Sequence, residues 1–444
     1  MKVAFYTLGC KVNQYETQAL KEKFTDLNYQ IVGEQDYADV YVINTCTVTN
    51  LAERKSRQYI RRMKKINPNS VVAVIGCYVQ VNPQEVKAIE GVDIIVGTNE
   101  KSRLPEYVEA FMAEPTQICH VRKYEDLNFY EETGTITSME SRTRAYIKVQ
   151  EGCNQFCSYC IIPYARGRIR SRNKEEILYE AKKLIGQGFK ELVITGINTA
   201  LYGRDQLDSN QFEEVNGIEV IVKQLNELSG DFRIRLGSLE PTVINASYVK
   251  RLLKYEKLCP HMHLSLQSGS DRILALMNRH YNREGYSEIV NILRDFDPGY
   301  GLTTDIIVGF PGERETDFQD SVEMVKEIRF NKVHVFPYSI RQGTKAAEMS
   351  GQISAGVKKA RSILLTKAGE KASEEFLKSC IGSIRQVLYE EYHEKDGTVS
   401  GYSDNYIKVY HPVSGPKEAE TLLNRFVKTE FQMIYKEGIK GVGH

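Results

Sequence analysis

Six short apolar runs, most of them followed by a stretch of helical periodicity, occupy the middle of this 444-residue chain, and that alternation restricts its fold most. The runs are Tyr146–Val149, Glu191–Thr195, Phe232–Leu236, Met262–Leu266, Thr303–Val308 and Lys332–Phe336. Between them, Lys174–Gln187, Gly217–Leu228, Glu284–Phe296 and Glu315–Ile328 repeat apolar residues at a helical period. Such alternation builds a parallel sheet covered by helices. Six units in series predict a barrel-like sheet, incomplete because a full βα-barrel takes roughly eight. Residues 354–378 read as a closing helix.

The flanks differ from this centre. Val3–Leu8, Val40–Asn44, Val71–Ile75 and Asp93–Val96 are Val/Ile-rich strands apolar on both faces, the pattern of a second buried parallel sheet. Asn50 with Glu53 resembles a capping box, and Asn67-Pro68 ends that helix. The expectation is an α/β protein: an open N-terminal α/β unit of Rossmann or flavodoxin type over 1–115, a polar linker over 116–138 and a partial (βα)6 barrel over 139–375. Over 376–444, Ile384–Glu390, Thr398–Tyr402, Asn405–Tyr410 and Arg425–Tyr435 read as strands of a small all-β unit, with Asp396-Gly397 a hairpin turn.

Composition excludes several classes. Lys and Arg number 59 against 58 Asp and Glu, a net charge of +1, so net charge announces no polyanion partner. No apolar run is long enough to span a bilayer. The start at Met1 enters a strand without a secretory leader, so a cytoplasmic location and no membrane partner are expected. Nine cysteines are too sparse for a disulfide scaffold, which leaves thiols that are free, metal-bound or catalytic.

Their placement is informative. Cys10, Cys46 and Cys77 each directly follow a strand, and ligand sites of open α/β sheets lie beyond the carboxyl ends of strands. Three thiolates there suit a soft metal centre with one open position; the alternative is three small buried hydrophobes. Gly9 and Gly76 precede two of them and let backbone approach closely. Cys153, Cys157 and Cys160 lie within eight residues and can wrap one small centre. No nearby His or fourth Cys completes a structural zinc site, so an iron–sulfur cubane fits better. Cys119, Cys259 and Cys380 read as structural, and the eight histidines show no metal spacing.

The Cys-x3-Cys-x2-Cys spacing, with Tyr159 before the last Cys, resembles the signature of radical S-adenosylmethionine (SAM) enzymes. The resemblance implies a [4Fe–4S] cluster on Cys153, Cys157 and Cys160 that binds SAM through its unique iron. It also marks SAM-binding candidates at later strand ends: Thr195, Gly196 and Asn198 in one motif, Ser238 and Glu240 in another, then Gln267 and Gly309, with Tyr159 near the adenine. A three-Cys N-terminal unit, such a core and a small β-domain together resemble the methylthiotransferases, whose last domain is the OB-like, RNA-binding TRAM module. That implies a second [4Fe–4S] cluster on Cys10, Cys46 and Cys77, which carries the sulfur to be transferred. Within that family Asn44–Thr49, Arg235–Pro241 and His334–Ser339 look most like enzymes acting on N6-threonylcarbamoyladenosine of tRNA. Asn198 stands where that subgroup often has His, and the Ser-Pro-His-Pro of isopentenyladenosine-specific relatives is absent. The implied partners are a tRNA anticodon loop, a low-potential electron donor such as flavodoxin or ferredoxin, and a sulfur donor. The rival readings are an isopentenyladenosine or protein acceptor, or a metal- and RNA-binding protein without turnover.

Two basic runs agree with an RNA partner. Arg54 to Lys65 holds seven basic residues and no acidic one, and on a helix Arg54, Arg57, Arg61 and Lys65 would share one side. Arg142 to Lys174 holds eight basic residues against one acidic, with Tyr164 among Arg166, Arg168, Arg170 and Arg172. The last 65 residues hold eight basic and nine acidic residues, so RNA contacts there would fall to aromatics such as Tyr402, Tyr406 and Tyr410.

Overall fold

A computed structural model describes residues 1–137, 143–205 and 217–443. Arg142, at the head of the second basic run, lies outside them. Six parallel strands form the first sheet: β1 (Lys2–Thr7), β2 (Gln30–Val32), β3 (Val40–Thr45), β4 (Val71–Gly76), β5 (Ile94–Val96) and β6 (Ile118–His120), in the order β2-β1-β3-β4-β5-β6. Every residue of β3 and β4 is buried. Val40 and Val42 pack with Phe5, Leu20 and Phe24 on one face, and Tyr41 and Ile43 with Ile60 and Met63 on the other. Each such aliphatic side chain contributes about 1.5–3 kcal/mol, which is why both faces read as apolar. Two helices matter for the site, α1 (Lys11–Asp26) and α2 (Asn50–Ile66). The cap of α2 is Thr49, whose side chain accepts from the Ala52 N–H, one residue before the expected capping box. Glu53 reaches away from the helix start, to Thr47 and Arg341. The edge strands β2 and β6 have three residues each, too few to show a pattern.

The central strands are β7 (Arg144–Glu151), β8 (Arg170–Ser171), β9 (Glu191–Gly196), β10 (Arg233–Leu236), β11 (Ser238–Leu239), β12 (His261–Leu264), β13 (Gly301–Val308) and β14 (Lys332–Pro337). They form two four-stranded sheets, β10-β9-β7-β8 and β11-β12-β13-β14, and Ile234 of β10 also bridges in parallel to Leu258, three residues before β12. All six expected strands are present and pair in parallel, with one large shared core containing Ile147, Ile194, Ile234, Leu264 and Leu302. The closing helix spans Ala355–Cys380 and packs through Gly369 onto Val333 of β14.

The last strands, β15 (Ile384–His393), β16 (Thr398–Ser403), β17 (Lys408–Pro412), β18 (Phe426–Tyr435) and β19 (Gly438–Gly443), close into a barrel in the order β15-β16-β17-β19-β18. Its β16–β17 corner meets the starts of the central strands: Arg233 donates to Tyr402 O and Arg235 to Ser403 O and Asp404 O, while Glu191 clamps both arginines. Three glycines hid β19, since Gly is depleted in strands.

Candidate functional site: two cysteine triads and a buried charge network

Cys10 caps α1 after β1, Cys46 follows β3, and Cys77 opens the short helix Cys77–Val81 after β4. The three strands are adjacent in the sheet, so their carboxyl ends deliver the thiols to one crevice. Gly9 has φ +102°, and a Cβ there would lie 2.8 Å from Cys46 Cβ and 2.9 Å from its Sγ. Gly76, at φ +101°, abuts Asn44 Oδ1 and Thr45 O. The crevice rim is tied by Asn13, whose Nδ2 donates to Leu8 O (2.7 Å) and Thr45 O (3.0 Å).

Beneath this triad lies a fully buried ionic cluster. Arg166 donates to Glu16 at 2.6 Å, Glu151 at 2.5 Å and Asn13 Oδ1 at 2.5 Å, and its Nε lies 3.2 Å from Cys77 Sγ. Lys101 and Lys148 also pair with Glu16, and Arg170 lies 3.6 Å from Glu151. Four cations therefore face two carboxylates, a surplus of two positive charges next to the thiols. That is a field suited to thiolates. Burial and the neighbouring Cys77 push the Cys46 thiol up to about 12, and burial raises Cys77 too. Crowded thiols of this kind ionise when a cation binds them, so the donor set fits a thiolate-ligated cluster.

The second triad sits on the loop after β7, at the carboxyl end of the partial barrel. Ser158 is pinned at both ends, its N–H donating to Met277 O and its Oγ to Leu276 O, while Asn278 holds the carbonyls of Gln155 and Phe156. Burial pushes Cys153 up to about 11 and Cys160 to about 12, in the latter case with Cys157 adding to the effect. This set likewise fits a metal cluster rather than free nucleophiles. Beside it runs a polar chain: Arg279 donates to Tyr159 Oη (2.6 Å) and Glu240 Oε1 (2.7 Å), and Asn198 Nδ2 donates to Glu240 Oε2 (2.9 Å). Three sequence candidates, Tyr159, Asn198 and Glu240, thus converge through Arg279, which carried no motif signal. Thr195 is buried and Gly196 sits against Gln150 O, Ser238 is exposed, and Gln267 adopts φ +61° with its backbone bonded to β13. Gly309 is crowded by Lys358 of the closing helix, a packing reason for glycine where an opening for adenine was expected.

The second basic run is corrected by the structure. Arg166, Arg170 and Arg172 are at most 1% exposed and cannot meet RNA phosphates. Arg172 pairs with Glu180 and Glu132 as part of the packing between units. Arg168 stays exposed over the Tyr124 ring. On α2, Arg54, Arg61 and Lys65 are exposed, whereas Arg57 is paired with Glu85. Tyr402 and Tyr406 have Arg144 and Arg235 against their rings, and Tyr410 is buried, so these aromatics serve packing. The histidines also need correcting. His263, Asp305 and His334 come from three adjacent strands, with ligand atoms within 4.8 Å of one another, a grouping that no linear spacing reveals.

Among the described residues no helix is long and apolar enough to cross a membrane. Residues 2–97 match the family described as Uncharacterized protein family UPF0004, and residues 147–325 match the Radical SAM superfamily. The chain is 40% identical over 442 residues to the threonylcarbamoyladenosine tRNA methylthiotransferase MtaB of Bacillus subtilis, covering 98% of this chain and 95% of the relative. It is 42% identical to the MtaB of Aquifex aeolicus, covering 88% and 93%. A tRNA-2-methylthio-N(6)-dimethylallyladenosine synthase of Clostridium tetani is 36% identical, covering 90% and 87%. Among solved structures, the radical SAM methyltransferase TsrM of Kitasatospora setae shares the fold at TM-score 0.56 and 13% identity, covering 78% of this chain and 74% of that one. Matched along nearly its whole length, the chain belongs to the radical SAM methylthiotransferases of the MtaB type.

Proposed function

We propose that this enzyme inserts a methylthio group at C2 of N6-threonylcarbamoyladenosine in tRNA, the modified base 3′ of the anticodon. The observation that carries the reading is a cysteine triad at the strand ends of each α/β unit, with Arg166, six residues past Cys160 in the chain, in contact with Cys77 of the other triad. An aromatic C–H bond has no useful acidity, so no side-chain base opens it at neutral pH, and the new C–S bond needs sulfur held close to the activated carbon. In this reading Cys153, Cys157 and Cys160 would hold one [4Fe–4S] cluster with SAM and Cys10, Cys46 and Cys77 another, and these groups would supply the radical chemistry and the sulfur.

The protein's own residues fix the geometry. Ser158 and Asn278 hold the second triad's loop, and Arg279 ties Tyr159 to Glu240 beside it, where the three would meet the polar groups of SAM, with Asn198 and Thr242 completing the carboxylate's bonds. Thr195, Gly196, Ser238, Gln267 and Gly309 remain SAM candidates by their strand-end positions. Arg54, Arg61, Lys65 and Arg168 are exposed, and in this reading they would track tRNA phosphates. A low-potential electron donor, a sulfur donor and a cytoplasmic setting complete the reading.

Relatives named for threonylcarbamoyladenosine range from 35 to 42% identity and one named for dimethylallyladenosine stands at 36%, so local motifs carry the acceptor assignment. The test is to delete the gene and digest total tRNA to nucleosides for mass spectrometry. Loss of the methylthio form of threonylcarbamoyladenosine alone, restored by the wild-type gene and not by Cys157→Ala, is expected. Loss of the isopentenyl derivative would keep the chemistry and overturn the acceptor. Survival of every nucleoside in a strain without a redundant enzyme would point to a protein target.

A further inference from the structure

A cavity of about 1020 Å³ opens between the partial barrel, the closing helix and the C-terminal barrel, and Lys11 of the N-terminal unit reaches into its wall. Its volume is at the upper end of ordinary ligand pockets, enough for a hypermodified nucleoside. Most cations around it are engaged. Arg235 is held by Glu191 and by two carbonyls of the C-terminal barrel, Lys408 by Glu437 and Lys436 by Asp396. Among the described residues Lys11 forms no ion pair; its ammonium lies 5.9 Å from the centre of the Tyr146 ring. Its position is also locally unfavourable, since it is the first residue of α1, and a helix start favours anions over cations. That first turn contains no acidic residue. A solvent-accessible, unpaired cation kept at a disfavoured position on a cavity wall calls for an anionic ligand.

Resting on the acceptor reading above, we infer that this cavity receives the N6 substituent of the acceptor adenosine and that Lys11 binds its carboxylate, making Lys11 a specificity-determining residue. The geometry of the base supports Lys11 over Lys332, the other unpaired lysine of the cavity. In adenine, C2 and C6 flank the same ring nitrogen, so an N6 arm must lie close to the point where sulfur reaches C2. Lys11 follows Cys10 directly in the chain, whereas Lys332, the first residue of β14, has no such tie to either triad. An isopentenyl arm carries no charge and would leave the Lys11 ammonium desolvated without a partner, which gives selection against it as well as for the carboxylate.

The test compares two substrates within one reconstituted enzyme: tRNA bearing N6-threonylcarbamoyladenosine, and the same tRNA with the threonyl carboxylate converted to its amide. Wild type is expected to lose about tenfold to a hundredfold in kcat/KM on the amide, the usual worth of a hydrogen bond to a charged group. Lys11→Gln should lose a similar factor on the carboxylate form and discriminate little between the two, and Lys11→Arg should restore most of the discrimination. Because each ratio is read within one preparation, incomplete folding or cluster loading cancels. Equal turnover of both tRNAs by wild type, or full discrimination retained by Lys11→Gln, would overturn the inference. If Lys11→Gln turns over neither tRNA, its relative binding of the two decides in the same way. A wild-type enzyme that ignores both and modifies isopentenyl tRNA would overturn the acceptor reading instead.

Discussion

The Nε of Arg166 lies 3.2 Å from the sulfur of Cys77, although Cys77 opens the helix that follows β4 of the first sheet and Arg166 ends a short helix, Ile162–Arg166, that follows β7 of the second. The same guanidinium holds Glu16 from α1 and Glu151 from β7, so one side chain stitches the N-terminal unit to the partial barrel directly beneath a cysteine triad. Arg suits this place better than Lys because its planar fork addresses several acceptors at once.

Arg166→Met is therefore expected to be severe. It leaves Glu16 and Glu151 buried with fewer cations and removes the donor to Cys77. Breaking a buried ion pair from one side costs about 3–5 kcal/mol. The melting temperature should drop clearly, and iron and sulfide bound on reconstitution should fall toward the content of one cluster. An unchanged melting temperature with full iron content would contradict the role assigned to Arg166.

How Arg166 is used also shows where linear reading stops. The convergence of Cys10, Cys46 and Cys77 was legible because each follows an apolar run directly, and strand ends are where an α/β sheet places ligands, whereas Cys153, Cys157 and Cys160 stood out by their spacing alone. Burial of Arg166, Arg170 and Arg172 was not, because their partners are scattered; Glu16 lies 150 residues from Arg166. A run of arginines looks the same on paper whether it faces water or buried carboxylates. Arg279 and the His263–Asp305–His334 grouping were hidden for the same reason, since each exists only once separate strands lie side by side.

Gly9→Ala tests the packing of the first triad. The residue sits at φ +102°, a backbone region that side chains resist, and its new Cβ would press on Cys46 at 2.8 Å. The fold should survive, because the clash is confined to the crevice. Methylthiolation should fall at least tenfold while 5′-deoxyadenosine formation from SAM continues. Equal loss of both activities would show that the crevice is not separable from the second triad.

Arg279→Leu addresses the other centre. It removes the guanidinium that Glu240 and the Tyr159 hydroxyl now share, leaving Glu240 with only Asn198 and Thr242 as donors. If this chain orients SAM, the KM for SAM should rise tenfold or more with the iron content of the protein kept. A variant with wild-type SAM kinetics would remove Tyr159 and Glu240 from the SAM site.

Glu191 predicts a pH dependence. Burial alone would raise its pKa, but Arg235, Arg233 and Arg144 outweigh burial and hold it well below the usual carboxylate range. A depressed carboxylate contributes stability that is complete above its unfolded value, about 4.3, and is lost as pH falls through the folded value. Glu191→Gln should thus be destabilised by about 3–5 kcal/mol at pH 7. Its deficit in urea unfolding should shrink below about pH 4, where the unfolded wild-type chain takes up a proton that folded Glu191 does not. A deficit that stayed constant down to pH 3 would mean that the charge is not what anchors the C-terminal barrel.

The sharpest separation comes from one cysteine of each triad. Cys157 is buried in the loop pinned by Ser158 and Asn278, and Cys46 lies across the crevice against Gly9. If the second triad binds the SAM-cleaving cluster, Cys157→Ala should abolish 5′-deoxyadenosine formation and with it every product. If the first triad holds the sulfur, Cys46→Ala should still cleave SAM under anaerobic reducing conditions yet yield no methylthio nucleoside. Both variants should lose roughly half of the reconstituted iron, so the iron content alone cannot tell them apart, whereas the two products can. Product formation by Cys46→Ala at the wild-type rate would defeat the division of labour between the triads, because the sulfur would then have to come from somewhere other than the crevice at the ends of β1, β3 and β4.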